Sequence, residues 1–267
     1  MNKTKYIYFK QKHIHILTNR HYFIPLFIFL LKIVLVKLII KKNKRNLNNW
    51  NSEIHLVIQG NKSQQLLYSG FNVEPSDVLV NGTPKGNECK KTCYLEGEKN
   101  NITLLFSRQI ESCESMFESL TNIIEIDLSR FDASKVITMY RMFFGCSNLE
   151  KINFGHINTT SLENMRSMFF SCTKLTSIDM SNFNTSKVTT MYYLFYQCKN
   201  LKYLDLSNFD TFKVTDIQSI FRDCKSLIFL NLYSFKLSNS VKTDYSLDGI
   251  SSYVKCCIND IDIKICY

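Results

Sequence analysis

Four cysteines recur at a fixed spacing of 26 residues, so their thiols are the first groups in the sequence that could do chemistry together. They are Cys146, Cys172, Cys198 and Cys224. If successive copies stack about 5 Å apart, neighbouring thiols come within reach of a disulfide bond. Leu120 stands at the same position one period earlier, which shows that the position accepts an apolar group. We therefore favour buried free thiols over a disulfide ladder.

The other six cysteines lie outside that column: Cys89, Cys93, Cys113, Cys256, Cys257 and Cys266. The four-residue spacing of Cys89 and Cys93 is not accompanied by a second cysteine or histidine pair, as a zinc site requires. We expect disulfide bonds at the ends of the fold rather than a metal centre.

A row of acidic and amide side chains follows the same period, and carboxylates in a row can hold a cation such as calcium. Only Asp179 and Asp205 are acidic in two successive copies, which favours a polar ladder in contact with water over a calcium site. The row consists of Asp127, Asn153, Asp179, Asp205 and Asn231.

General bases and phosphate-binding loops are scarce. Four of the five histidines lie at or before His55, and only His156 follows. The sequence contains neither a GxGxxG nor a GxxxxGK[ST] motif. We therefore predict a protein that is not an enzyme and has no catalytic residues, cofactor, metal site or small-molecule substrate.

The positive charge is concentrated at the N-terminus. Residues 1–52 hold 11 of the 33 Lys and Arg residues and none of the 23 Asp and Glu residues. The remainder is close to neutral, with 22 basic and 23 acidic side chains. Nucleic-acid binding needs a basic surface on the folded domain, so we predict no nucleic-acid partner.

Residues 22–40 read YFIPLFIFLLKIVLVKLII and are apolar except for two lysines. A helix of this length spans about 28 Å, close to the thickness of a bilayer core. The pattern predicts a basic leader, residues 1–52, with a transmembrane or signal-anchor helix over residues 22–40. We expect a membrane localisation with the remainder facing the cell exterior. Orientation and cleavage stay open.

The rest of the chain is organised by a 26-residue repeat. Five copies begin at Met116, Met142, Met168, Leu194 and Ile220. We predict a β-rich N-terminal cap over residues 53–112, five repeats over residues 113–245, and a degraded repeat as C-terminal cap over residues 246–267. Strands in the N-terminal cap are predicted at EIHLVIQG, DVLVNG and NITLLF.

Each copy combines two hydrophobic patterns. Leu201, Leu204 and Leu206 follow the L-x-x-L-x-L spacing of leucine-rich repeats, which predicts a short strand. The apolar residues at the end of the third copy and the start of the fourth have a helical spacing: Val188, Met191, Leu194, Phe195 and Cys198. Ser186 is a candidate helix N-cap, and Thr160 with Glu163 forms a capping-box pattern. The predicted fold class is an α/β leucine-rich-repeat solenoid with one parallel strand and one helix per repeat.

The period, together with strings such as SMFFSC and LDLSNFDTFKVT, resembles the BspA-like leucine-rich repeats of bacterial surface proteins, also called domain of unknown function 285. The resemblance covers about residues 113–238. It implies a surface-exposed protein used in adhesion or recognition without catalysis, and it supplies no catalytic residues.

The alternation of side chains along the strands predicts a binding surface. Leu204 and Leu206 point inward, so the residues between them point outward on the concave sheet. Exposed aromatic side chains anchor many interfaces, although packing against the C-terminal cap is an alternative role. The predicted partner-binding residues are Tyr203, Asp205, Phe229, Asn231 and Tyr233.

The sequence thus predicts a membrane-anchored surface leucine-rich repeat protein. It would mediate adhesion or recognition of a protein or cell-surface macromolecule through its concave sheet. The alternative is an intracellular leucine-rich repeat scaffold for protein–protein interaction.

Overall fold

A computed structural model describes residues 52–257 of the chain, and these residues belong to a single compact unit. The leader and its predicted membrane span at residues 22–40 lie outside the described residues. Within residues 52–257, no helix is long and apolar enough to cross a bilayer, so the predicted membrane localisation is corrected: the described structure gives it no support.

Eleven strands and one three-residue 3₁₀ helix, Gly86–Glu88, are present in the described part of the chain. Alternating apolar residues such as Ile54, Leu56 and Ile58 are buried in the first strand, as expected for a half-buried sheet. The strands are β1 Ser52–Gln59, β2 Lys62–Gln65, β3 Asp77–Val80, β4 Thr83–Pro84, β5 Thr92–Leu95, β6 Lys99–Phe106, β7 Ile123–Asp127, β8 Lys151–Asn153, β9 Tyr203–Asp205, β10 Phe229–Asn231 and β11 Lys255–Cys257.

The strands form three sheets. The largest has six strands in the order β4-β3-β6-β1-β7-β8, a second has the order β11-β10-β9, and β2 pairs with β5. Strand β1 is antiparallel to both β6 and β7, whereas β7 and β8 are parallel. The N-terminal sheet therefore continues directly into the first repeats. The strands predicted from EIHLVIQG, DVLVNG and NITLLF are confirmed as β1, β3 and β6.

Successive copies are joined by parallel hydrogen bonding at the period of the sequence. In β9 and β10, Tyr203 lies opposite Phe229 and Leu204 lies opposite Leu230. A second series of parallel bridges joins residues that are 26 positions apart: Ser112, Thr138, Asn164, Thr190, Asp216 and Lys242. This second series is continuous from Ser112 to Lys242, whereas the strand pairing is interrupted, because β8 has no paired strand in the copy that follows it.

The predicted α/β solenoid with a helix in every repeat is wrong. The described residues contain no α-helix, and the stretch Val188–Cys198 that carries the helical spacing forms consecutive turns around an isolated bridge at Thr190. Tyr193 and Gln197 both have φ at +58°, a left-handed value that no α-helix contains. The described structure is almost entirely β-strand and turn, and the solenoid and transmembrane-helix assignments are corrected accordingly.

The backbone hydrogen bonds explain why turns replace the helix. Leu194 and Tyr196 donate to the carbonyl oxygen three residues earlier, at 3.1 and 3.2 Å. The N–H groups of Phe195 and Gln197, between and beyond them, instead donate to the next copy, to the carbonyl oxygens of Ile220 and Arg222 at 2.9 and 2.8 Å. Every second N–H therefore leaves the segment, whereas an α-helix would keep all of them for bonds to the fourth residue before. Left-handed residues at two positions per copy produce this alternation: Ser115, Ser119, Arg141, Gly145, Ser167, Ser171, Tyr193, Gln197, Ser219, Asp223, Tyr245 and Gly249.

The predicted helix caps are side-chain-stabilised turns. Asn184 Oδ1 accepts the N–H of Ser186 at 3.1 Å and its hydroxyl at 2.7 Å. Asn158 Oδ1 does the same for Thr160, at 3.1 and 2.9 Å. Asn and Asp readily form such turns with the residue two positions ahead. Ser186 and Thr160 therefore follow a turn and cap no helix, and the capping box with Glu163 is wrong.

The core is a continuous stack of repeated apolar side chains. Phe143, Phe169 and Phe195 have ring centroids 5.4 and 5.5 Å apart, with near-parallel planes. All three rings are inaccessible to solvent. Because each copy contributes one ring, the stack extends over five copies, from Phe117 to Phe221.

Candidate functional site

The predicted partner-binding residues are brought together on two adjacent parallel strands. Tyr203 of β9 lies beside Phe229 of β10, and Asp205 lies beside Asn231. Leu204 between them is buried, whereas 55% of Tyr203 is exposed. The strands therefore present these side chains outward in the predicted alternation. We refer to Tyr203, Asp205, Phe229, Asn231 and Tyr233 as the strand face.

Tyr233 follows β10 by two residues and is 56% exposed. Its N–H donates to Asn231 Oδ1 at 3.1 Å, which fixes the backbone where the strand ends. Ser207 makes the same bond to Asp205 Oδ1 at 2.9 Å. Asp205 and Asn231 thus stabilise turns, a role that the sequence analysis did not assign to them.

A groove of about 630 Å³ borders the aromatic end of the strand face. Tyr203 and Phe229 line it together with Asp179, Asp205 and Ser207. Hydrogen bonds from the hydroxyl and the N–H of Ser207 lower the pKa of Asp205, and Ser181 lowers that of Asp179 in the same way. The groove therefore combines two aromatic rings with two carboxylates that are ionised at neutral pH.

The same surface is charged at its other end. A second groove of about 790 Å³ shares Ser177 and Asp179 with the first and extends over β8, β7 and β1. Glu125 lies there within 3.7 Å of Lys99 and 3.9 Å of Lys151. The exposed side of the strands thus changes from paired charges to aromatic side chains along the repeats.

The periodic carboxylates accept hydrogen bonds from the backbone. Asp127, Asp179 and Asp205 each accept the N–H of the residue two positions later, at 2.8 to 2.9 Å. No group of three or more Asp, Glu, His or Cys residues within residues 52–257 is arranged to hold a metal ion. In the described structure, these aspartates accept the hydrogen bonds that close turns.

The cysteine column consists of buried free thiols, which confirms that prediction. Each Sγ donates to the carbonyl oxygen of a core phenylalanine; for Cys198 the acceptor is Phe169, at 3.1 Å. Burial raises the pKa of Cys146 and Cys224 to about 12, so these thiols stay protonated at neutral pH and are poor nucleophiles. Cys89 and Cys93 form a disulfide bond, as expected for the N-terminal region.

A second surface, which the sequence analysis missed, lies on the turn segments. We call it the arginine–aromatic face: Tyr140, Phe144, Arg166, Phe170, Tyr192 and Tyr196. The signal was present in the sequence, because Tyr140, Arg166 and Tyr192 are 26 residues apart, as are Phe144, Phe170 and Tyr196. The predicted helix gave no reason to place these positions in contact between copies.

These features define a repeat protein of strands and turns that presents exposed aromatic side chains on its strands. The chain belongs to the family described as Mycoplasma protein of unknown function, DUF285, whose model matches residues 91–177 and 152–256. No curated protein and no solved structure matches the chain.

Proposed function

We propose that this chain is a non-catalytic recognition protein that binds another protein, or a macromolecule on a cell surface, through the strand face. The observation that carries the proposal is the exposure of Tyr203, which lies beside Phe229 on hydrogen-bonded strands, and of Tyr233, which follows β10 by two residues. Aromatic side chains lose little conformational entropy on binding and dominate many interfaces.

The repeats themselves provide the argument that these aromatics are not needed for folding. The position of Tyr203 is filled by Glu125, Lys151 and Ser177 in the earlier copies. The position of Tyr233 is filled by Ser129, Gly155, Ser181 and Ser207. Glu125 and Lys151 pair in β7 and β8 in the same parallel register as Tyr203 and Phe229, so this pairing does not depend on aromatic side chains, and the aromatic residues serve a purpose beyond it.

The resemblance to BspA-like repeats supports the same proposal at the level of function. Proteins with those repeats are used in adhesion or recognition, and the strings SMFFSC and LDLSNFDTFKVT carry the likeness. From this resemblance we infer recognition without catalysis, and we do not infer the leucine-rich-repeat architecture.

A double substitution with a matched control tests the proposal. Tyr203→Ser with Tyr233→Ser installs residues that other copies carry at these positions. Phe212→Ser is the control, because Phe212 is 83% exposed, is not a strand-face residue, and its position holds Ser134, Thr160 and Ser186 in other copies. Peptides selected from a random display library on the full-length wild-type chain provide the probe.

We expect the double variant to weaken binding of the selected peptides by about 2 kcal/mol, roughly 30-fold, and the control to leave it within about twofold. All variants should melt at similar temperatures. Selected peptides that bind the double variant as tightly as the wild type would refute the proposal.

A further inference from the structure

We infer that the arginine–aromatic face is a second docking surface, which takes an acidic segment of a partner protein. The inference stands apart from the proposed function, because its residues lie on the turn segments and include none of the strand face. Arg166 is exposed and forms no ion pair with any residue from 52 to 257.

Two tyrosines hold the side chain of Arg166 in place. Its guanidinium carbon lies 5.6 Å from the ring centroid of Tyr140 and 4.7 Å from that of Tyr192. These tyrosines belong to the copies before and after Arg166, so the cation sits between two rings of a ladder. A guanidinium that is already ordered loses less entropy when it binds a carboxylate through two parallel hydrogen bonds.

Arg141 shows the contrasting, ion-paired arrangement on the same turns. Its guanidinium carbon lies 4.0 Å from the ring centroid of Phe144, and its Nη2 is paired with Glu118. The chain thus supplies its own carboxylate to Arg141 and none to Arg166 among the described residues. The ion-pair partner that Arg166 lacks is therefore a carboxylate of the partner protein.

The neighbouring rings restrict what else can bind. Phe170 stacks on Phe144 at 4.4 Å and on Tyr196 at 4.6 Å between centroids. Because stacking covers both faces of the half-buried Phe170 ring, its exposed part is the edge, which carries partial positive charge. Bases and sugars stack on ring faces, which Phe170 does not offer, whereas carboxylates and apolar side chains can contact its edge.

The other copies show that the fold does not require this surface. The position of Arg166 holds Glu114, Gln218 and Asp244 elsewhere in the chain. The position of Phe170 holds Glu118, Arg222 and Asp248 in the outer copies. Aromatic and arginine side chains are concentrated in the central copies, as expected for a localised interface with Tyr and Arg at its centre.

Chemical footprinting on the full-length chain tests the inference at the level of single residues. Phenylglyoxal modifies accessible guanidinium groups, and peptide mapping gives the rate at each arginine. Arg108 serves as the internal control, because it is exposed and lies outside the face. The probe is a random glutamate–tyrosine copolymer, and vesicles containing phosphatidylglycerol are the competing anionic surface. The rate at Arg108 separates local binding from attraction to the basic leader.

We expect the copolymer to slow modification of Arg166 by at least about fivefold and that of Arg108 by less than about twofold. Tyr192→Gln, which copies Gln218, should remove most of this protection without lowering the melting temperature. Equal slowing at both arginines, no slowing at Arg166, or protection of Arg166 by vesicles and not by the copolymer would each overturn the inference.

Discussion

Replacing Ser119 by glycine should stabilise the protein, although the same change inside a helix would destabilise it. Ser119 is exposed, has φ at +60° and makes no side-chain hydrogen bond with another described residue. A non-glycine residue in this left-handed conformation costs roughly 1–2 kcal/mol, and glycine removes that cost. Glycine also increases the conformational entropy of the unfolded chain, which lowers the free energy of unfolding by about 0.5–1 kcal/mol.

The net expectation for Ser119→Gly is a gain of about 0.5–1 kcal/mol in the free energy of unfolding. For a folded unit of this size the melting temperature should rise by about 1–4 °C. In a helix, the substitution would instead cost roughly 0.5 kcal/mol, the difference between the helix propensities of serine and glycine. The sign of the effect therefore distinguishes the turn from the helix.

Gly145 provides the reverse experiment one copy later, because it occupies the same position with φ at +70°. A Cβ added there would lie 3.3 Å from Ser119 Oγ, a tight contact. We expect Gly145→Ala to cost about 1–2 kcal/mol. Ser119→Ala keeps the Cβ and serves as control, with a change within about 0.5 kcal/mol. Urea unfolding followed by circular dichroism measures all three, and a loss of stability in Ser119→Gly would refute the assignment of turns.

Two further predictions concern the core and the periodic aspartates. Cys198→Ala should cost about 1–3 kcal/mol from lost packing and the lost bond to Phe169, and non-reducing mass analysis of the wild type should show no bridge between Cys172 and Cys198. The pKa of Asp205 is lowered in the folded state, so its contribution is present above the unfolded pKa of about 3.9 and is lost as the pH falls through the folded value. Asp205→Asn keeps the acceptor, as Asn153 does, and should lose less stability than the wild type between pH 7 and about pH 3, measured by urea unfolding; identical losses contradict this.

The repeat period and the position of Tyr203 and Phe229 on the outward side of their strands could be predicted from sequence, because both follow from matching positions 26 residues apart. The helix could not be distinguished in the same way. Val188, Met191, Leu194 and Cys198 have a spacing that fits one face of a helix and equally fits successive turns with every third or fourth side chain inward.

Residues that favour turns carried the missing information. Gly145 and Gly249 occupy the same register, four copies apart, in a chain with only eight glycines. Asn158 and Asn184 stand two residues before Thr160 and Ser186, where they close turns. The strand face was accessible to period-2 reasoning, whereas the arginine–aromatic face lies on positions whose neighbours became clear only when turns replaced helices.

The alternation of backbone donors has a consequence for how such a chain can change in length. Within the repeats, every second N–H of a turn segment is satisfied by the following copy, as Phe195 is by Ile220 and Phe169 by Leu194. A tandem duplication of one whole unit inside the array therefore restores the same bonds and the same Phe stack on both sides. An insertion of any other size shifts the donors away from their acceptors. Modular growth by complete units is thus permitted at little energetic cost, and the number of units sets how much surface the protein can present.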